Sequence, residues 1–168
     1  MIFLKAIEKK GRTAAAWAIG AAFPPRRATP EELRRGLEAG RIKKILLVRP
    51  YQGLGDLLCA TPVIANLKAA FPSLSIHFLA NTFNQAALQG NPGLDKIWAW
   101  DERQVRRPGA WRKMISQLRR EGFDLALILS GNALSLTSML LAKFSGARFV
   151  AGYDTAAYGR DWGRRLYS

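Results

Sequence analysis

Five unbroken apolar runs, separated by stretches of helical composition, constrain this chain more than any other feature. The runs are "KKILLVR" (43–49), "LSIHFLA" (74–80), "DKIWAWD" (95–101), "FDLALIL" (123–129) and "ARFVAGY" (147–153). Between them lie a helical segment over 56–71, a short helix in "NQAALQG" closed by Gly90, and helices over 109–122 and 133–146. The 109–122 segment sets Trp111, Ile115 and Leu118 on one helical face. A strand that is apolar at every position must be covered on both faces. A parallel sheet with helices on either side does this. The expected fold class is therefore α/β, a doubly wound, Rossmann-like parallel sheet. Right-handed crossovers give the strand order 3-2-1-4-5. A ligand then belongs at the carboxyl ends of strands 1 and 4, where the winding reverses.

Upstream of the first run, "FPPRRATPEELRRGLEAGRIKK" reads as a linker with one short helix. Pro24 and Pro25 stop what precedes it. Thr29 can cap, Pro30 suits the first turn, and Glu31 and Glu32 favour the helix N-terminus. Gly40 can end the helix. This divides the chain into an extension and linker over 1–42 and a domain over 43–168. In the first 27 residues Phe3, Leu4, Ile7, Ala14, Trp17, Ala18 and Ala21 fall roughly on one face, with Lys5, Lys9, Lys10 and Arg12 mostly off it. The expectation is a basic amphipathic helix lying on a membrane surface; a signal peptide and a disordered or partner-docking extension stay open beside it. No run of about 20 apolar residues exists, so no spanning helix is expected.

The charge balance is 26 Lys and Arg against 12 Asp and Glu, a formal net charge of +14. It fits an anionic partner: an acidic lipid surface, a phosphorylated substrate or a nucleic acid. A simply solvated basic surface is the plainer reading. Arg103, Arg106, Arg107, Arg112, Lys113, Arg119 and Arg120 are expected to form a basic face near anionic lipid or phosphorylated glycan, or a solvated helix face. No helix-turn-helix, zinc knuckle or stacking platform appears, so nucleic acid is not an expected partner. The single cysteine, Cys59, excludes an internal disulfide and reads as a small buried residue rather than a nucleophile. With one histidine, His77, set in a strand, no metal site is expected, and no cofactor is implied.

The candidate site is "RPYQGLGDLLCATP" (49–62), which leaves the first strand. Gly53 and Gly55 suggest a dinucleotide fingerprint, but Leu58 stands at its third glycine position, and the second strand ends at Asn81 instead of an acid. A P-loop would need Gly-Lys-Ser/Thr, which is absent. Two other readings remain, and they are compatible. Asp56 can cap the following helix, and its carboxylate can serve at the site as a base or an acceptor of substrate hydroxyls. The glycines let the backbone approach a ligand closely. Pro62 either kinks the helix or lets it begin at Thr61.

"KILLVRPYQGLGDLLCATPVIANLKAAFPSLSIHFLANTFNQAALQGNPGLDKIWAWD" and "FDLALILSGNALSLTSMLLAKFSGARFVAGYD" together resemble the N-terminal half of the family 9 glycosyltransferases, the ADP-heptose:lipopolysaccharide heptosyltransferases and their relatives. The likeness runs from 43 to about 154. It rests on Arg49, Gly55 and Asp56, on the "ATPVIANLKAAFP" helix, on "NPGLDKIW" and on "GARFVAGYD". The resemblance implies a GT-B fold of two Rossmann-like domains, of which this chain has the acceptor side and lacks the donor-binding side. It implies transfer of a sugar, with inversion, from a nucleotide-sugar of the ADP-heptose type to a lipopolysaccharide-type or other cell-surface glycan or glycolipid acceptor. Asp56 takes the family's place of general base. Beside it, Arg49, Tyr51, Gln52, Gly53, Gly55, Ser130, Gly131, Asn132, Ser135 and Tyr153 are the candidate substrate-binding residues, placed by the topology in the crevice between the loops after strands 1 and 4. The implied location is cytoplasmic, peripheral on the inner face of the membrane. The sequence departs from the family at Leu134, where a Lys or Arg commonly precedes the serine. The alternative is a non-catalytic, truncated Rossmann-like module that binds anionic glycan, a membrane surface or nucleic acid.

Overall fold

The computed structural model describes residues 28–101, 103, 107–129 and 136–152. The expected membrane-surface helix at the N-terminus lies outside these residues. The first described element is α1 (Pro30–Glu38), and its start follows the expected chemistry. The Thr29 hydroxyl accepts from the Glu32 N–H at 3.1 Å, and the Glu32 carboxylate accepts from the Thr29 N–H at 2.7 Å. This reciprocal box satisfies two helix-end donors at once. Gly40, at φ 62°, turns the chain out of the helix in the left-handed region.

The sheet holds β1 (Lys44–Arg49), β2 (Ser75–Asn81), β3 (Lys96–Trp100), β4 (Leu125–Ile128) and β5 (Phe149–Ala151). All neighbours are parallel, in the order β3-β2-β1-β4-β5. The class and order expected from the apolar runs are those observed. Alternation along β1 serves two cores. Leu46 and Val48 face a cluster with Trp98, Trp100, Leu118 and Met139, while Ile45 and Leu47 face one with Leu57, Ile64, Ile76 and Phe78. α4 (Pro108–Arg120) and α5 (Leu136–Phe144) cover the first face; α1, α2 (Leu54–Leu58) and α3 (Thr61–Ala70) cover the second. Each fully buried Leu, Ile or Phe contributes roughly 1.5–3 kcal/mol by leaving water.

Aspartates fix where the strands start. Asp124 Oδ2 accepts from the N–H groups of Lys43 (2.8 Å) and Lys44 (3.1 Å), and Asp95 Oδ2 from that of Ile76 (2.7 Å). Each locks its own strand in register with a neighbour. In the "NPGLDKIW" turn the Asn91 side chain accepts from the Gly93 N–H, and a Cβ on Gly93 would meet Ile64 Cγ2 at 2.7 Å. Only glycine lets this turn lie against α3.

The single helix expected over 56–71 is two helices. α2 starts earlier, at Leu54, and stops at Leu58; α3 begins at Thr61 with Pro62 in its first turn. Proline has no N–H to continue a helix but suits a helix start, so the chain breaks and restarts there. The break also places Cys59 at the C-terminal cap of α2, where it is exposed, contrary to the burial expected for it. α2 sends only Leu57 into the core, and Cys59 lies on another side of this short helix.

Candidate functional site

The loop after β1 reaches the carboxyl edge of the sheet beside β4, where the winding reverses. Asp56 sits there on α2, three-quarters exposed. It is not the cap. Gly53 holds that position without a side-chain bond, and Asp56 is the third residue of the helix. An acid in the first turn is favoured by the helix dipole without being its hydrogen-bonded cap.

What fixes the carboxylate is Arg49. Its Nη2 lies 2.6 Å from Asp56 Oδ2, and its Nη1 donates to the Leu129 carbonyl at 2.8 Å. The Arg49 side chain is 7% exposed and ties the end of β4 to Asp56. Its Nε is buried with no hydrogen-bond partner among the described residues. A buried guanidinium with two of its three nitrogens engaged holds its partner in one orientation. The pair takes Oδ2 and leaves Oδ1 without a hydrogen bond or ion pair among the described residues. A Cβ on Gly53 would stand 3.2 Å from Asp56 Oδ2, close enough that the carboxylate would have to shift by a few tenths of an ångström. Gly55 has open space around it.

Tyr51 is half-buried and Gln52 exposed. The Ser138 hydroxyl, on α5, donates to Tyr51 Oη at 3.3 Å. Two residues outside the implied site also hold the loop. Asn81 Nδ2 donates to the Pro50 carbonyl at 3.3 Å, and Asn84 Nδ2 to the Tyr51 carbonyl at 3.1 Å. Both asparagines are buried. They sit where the second strand ends, the place at which a dinucleotide fingerprint would need an acid. Between them Phe83 is 80% exposed.

Ser130, Gly131, Asn132, Ser135 and Tyr153 lie outside the described residues. The flanks of the 130–135 segment are described, and both touch the β1 loop, through Arg49 to Leu129 and through Tyr51 to Ser138. Among the described residues no group of three His, Cys, Asp or Glu side chains is placed to hold a metal ion, and no helix is long and apolar enough to cross a membrane. His77 is a buried strand residue remote from this edge. Its Nδ1 accepts from Trp98 Nε1 at 3.2 Å, and burial lowers its pKa.

No protein-family model matches the chain, and no curated protein does so. Several solved structures are similar to it, among them two glycosyltransferases. One is the glycosyl transferase family 9 protein from Veillonella parvula, with a TM-score of 0.58 and 19% identity over 67% of this chain and 33% of that one. The other is the E. coli heptosyltransferase WaaC with ADP, with a TM-score of 0.58 and 18% identity over 74% of this chain and 39% of that one. The chain thus spans between a third and two-fifths of the length of each. In fold it is an α/β, Rossmann-like domain of the kind found in family 9, GT-B glycosyltransferases.

Proposed function

We propose that this chain is the acceptor-side domain of an inverting glycosyltransferase, with an extension over 1–42 and the domain itself over 43–168. The reaction moves a sugar from a nucleotide-sugar, of the ADP-heptose type, to a lipopolysaccharide-type glycan or glycolipid. The donor is held by a second Rossmann-like domain, and the protein works peripherally on the inner face of the cytoplasmic membrane. The observation that carries the reading is the Arg49–Asp56 pair. It presents one fixed, exposed carboxylate at the sheet edge where ligands of this fold class bind.

A sugar hydroxyl is a poor nucleophile. Asp56 Oδ1 takes its proton as the oxygen attacks the anomeric carbon, and the nucleoside diphosphate leaves from the opposite side with the bonding electrons. Arg49 acts through Asp56 as a positioning residue, holding Oδ2 so that Oδ1 points outward. Tyr51 and Gln52 offer a phenol and an amide to the acceptor's other hydroxyls, on a backbone braced by Asn81 and Asn84.

The test supplies a donor-binding domain in trans or by fusion and follows nucleotide release from ADP-heptose with a truncated lipopolysaccharide acceptor. Turnover that needs both parts, and that Asp56→Asn cuts about 10²–10⁴-fold with little change in acceptor affinity, supports the reading. Near-normal turnover by Asp56→Asn makes Asp56 a structural acid only.

A further inference from the structure

The helix α4 carries Arg112, Lys113, Arg119 and Arg120 and no acid. All four are exposed, and none makes an ion pair among the described residues. The one acid at its end, Glu121, is already held by Lys44 at 3.1 Å and Lys96 at 2.7 Å. Beside α4, against α5, runs an open groove of about 420 Å³. Its floor is Trp111, Ile115 and Phe144, and Arg112, Arg119 and Arg120 stand along it. The Trp111 and Phe144 rings meet edge to face at 6.3 Å, and Arg119 Nε donates to the Phe144 carbonyl at 3.0 Å, which keeps that arginine at the groove. The groove is on the opposite sheet face from α2, so it is not part of the Asp56 site.

The spacing indicates what it meets. Arg112 and Arg119 are two helical turns apart, about 10.5 Å along the axis. One phosphate cannot bridge that distance, but a surface presenting many phosphates can meet both. The strip between the cations is aromatic and aliphatic, which suits the boundary between headgroups and acyl chains better than the polar grooves of a nucleic acid. We propose that the α4–α5 groove is the face by which this protein lies on an anionic lipid bilayer. Arg112, Arg119 and Arg120 meet headgroup phosphates, and the Trp111–Phe144 floor lies at the interface. This rests on the peripheral placement proposed above and not on the transfer chemistry.

The test uses the full chain with Cys59→Ser, since that thiol is exposed, and Ser116→Cys in the groove carrying an environment-sensitive dye. The probes are vesicles of phosphatidylglycerol with phosphatidylcholine, vesicles of phosphatidylcholine alone, inorganic phosphate and a short DNA duplex. The expected result is sedimentation with the anionic vesicles only, a blue shift of the dye, and weakening of both by salt. Arg112→Gln with Arg120→Gln spares the Arg119 bond and should weaken binding about 30-fold, taking roughly 1 kcal/mol per basic residue near an anionic surface. Sedimentation without a dye shift overturns the groove and leaves the peripheral placement standing. No sedimentation with anionic vesicles overturns both. A dye shift on inorganic phosphate alone, or tighter binding to the duplex, overturns the bilayer as the partner.

Discussion

Arg49 and Asp56 form one device with unequal partners, and substitutions should report that inequality. Asp56 is mostly in water, so Asp56→Ala leaves the buried Arg49 with only the Leu129 carbonyl. The expected loss is about 1–3 kcal/mol, from an under-satisfied buried cation and not from a lost cap. Arg49→Ala removes a buried side chain and its bond to β4 together, and should cost more, about 2–4 kcal/mol. Urea melts of the two variants check the order. A larger loss for Asp56→Ala would mean that the strand-end contact is unimportant. Cys59 gives a second check at this scale. Exposed at the end of α2, it should react with a thiol reagent in the folded chain as fast as after denaturation, to one equivalent. A protected thiol would contradict the break between α2 and α3. The sequence placed Asp56 and Arg49 at the sheet edge but not the bond between them. Nothing in "RPYQGLGD" says that the arginine turns under the loop, because that depends on the Leu129 carbonyl 80 residues away. Asn81 and Asn84 were hidden for a related reason: their partners are backbone carbonyls, which leave no pattern in a sequence.

At the scale of elements, the parallel strands were legible because apolar residues on both faces leave few alternatives. The helix boundaries were less so, since composition does not say on which side of Pro62 a helix ends. The packing of β2 on β3 adds a pH dependence that composition also conceals. His77 is buried under Trp98 and edge-on to Phe123, with ring centroids 5.2 Å apart. Burial foremost lowers its pKa; Glu121 and Asp95 oppose this, and Lys44 and Lys96 add to it. In the unfolded chain the imidazole titrates near its ordinary value of about 6.5. Just below that pH the unfolded state binds the extra proton, so stability falls as pH falls. Glu121 and Asp95 are a separate case. The Lys96 bond foremost holds Glu121 low, and for Asp95 the Ile76 N–H and Lys68 outweigh the upward push of burial. Their stabilisation is present above the ordinary carboxylate range and is lost only in stronger acid. The melting temperature should therefore decline as pH drops from about 7 towards 5, and His77→Gln should flatten that decline. An unchanged slope in the variant would assign the decline to other groups.

At the scale of the whole molecule, the sheet divides the apolar interior but does not make it two units. Leu46 and Val48 belong to one core, and Ile45 and Leu47 to the other, on a single strand of six residues. Unpairing β1 from β2 or β4 would therefore open both cores at once. Trp98, Trp100 and Trp111 all lie on the α4–α5 side, while Ile64, fully buried, lies on the other. With Trp17→Phe and Trp162→Phe as the background, the emission of these three reports on one core, and Ile64→Ala damages the other. That variant should lose about 2–5 kcal/mol, from the lost burial and the cavity left against α3. If β1 couples the cores, emission and far-ultraviolet circular dichroism of the variant should trace one urea transition with a common, lowered midpoint. An emission midpoint that stays at the background's value while the dichroism midpoint falls would show that the two faces unfold separately. The alternation along β1 would then couple them only weakly.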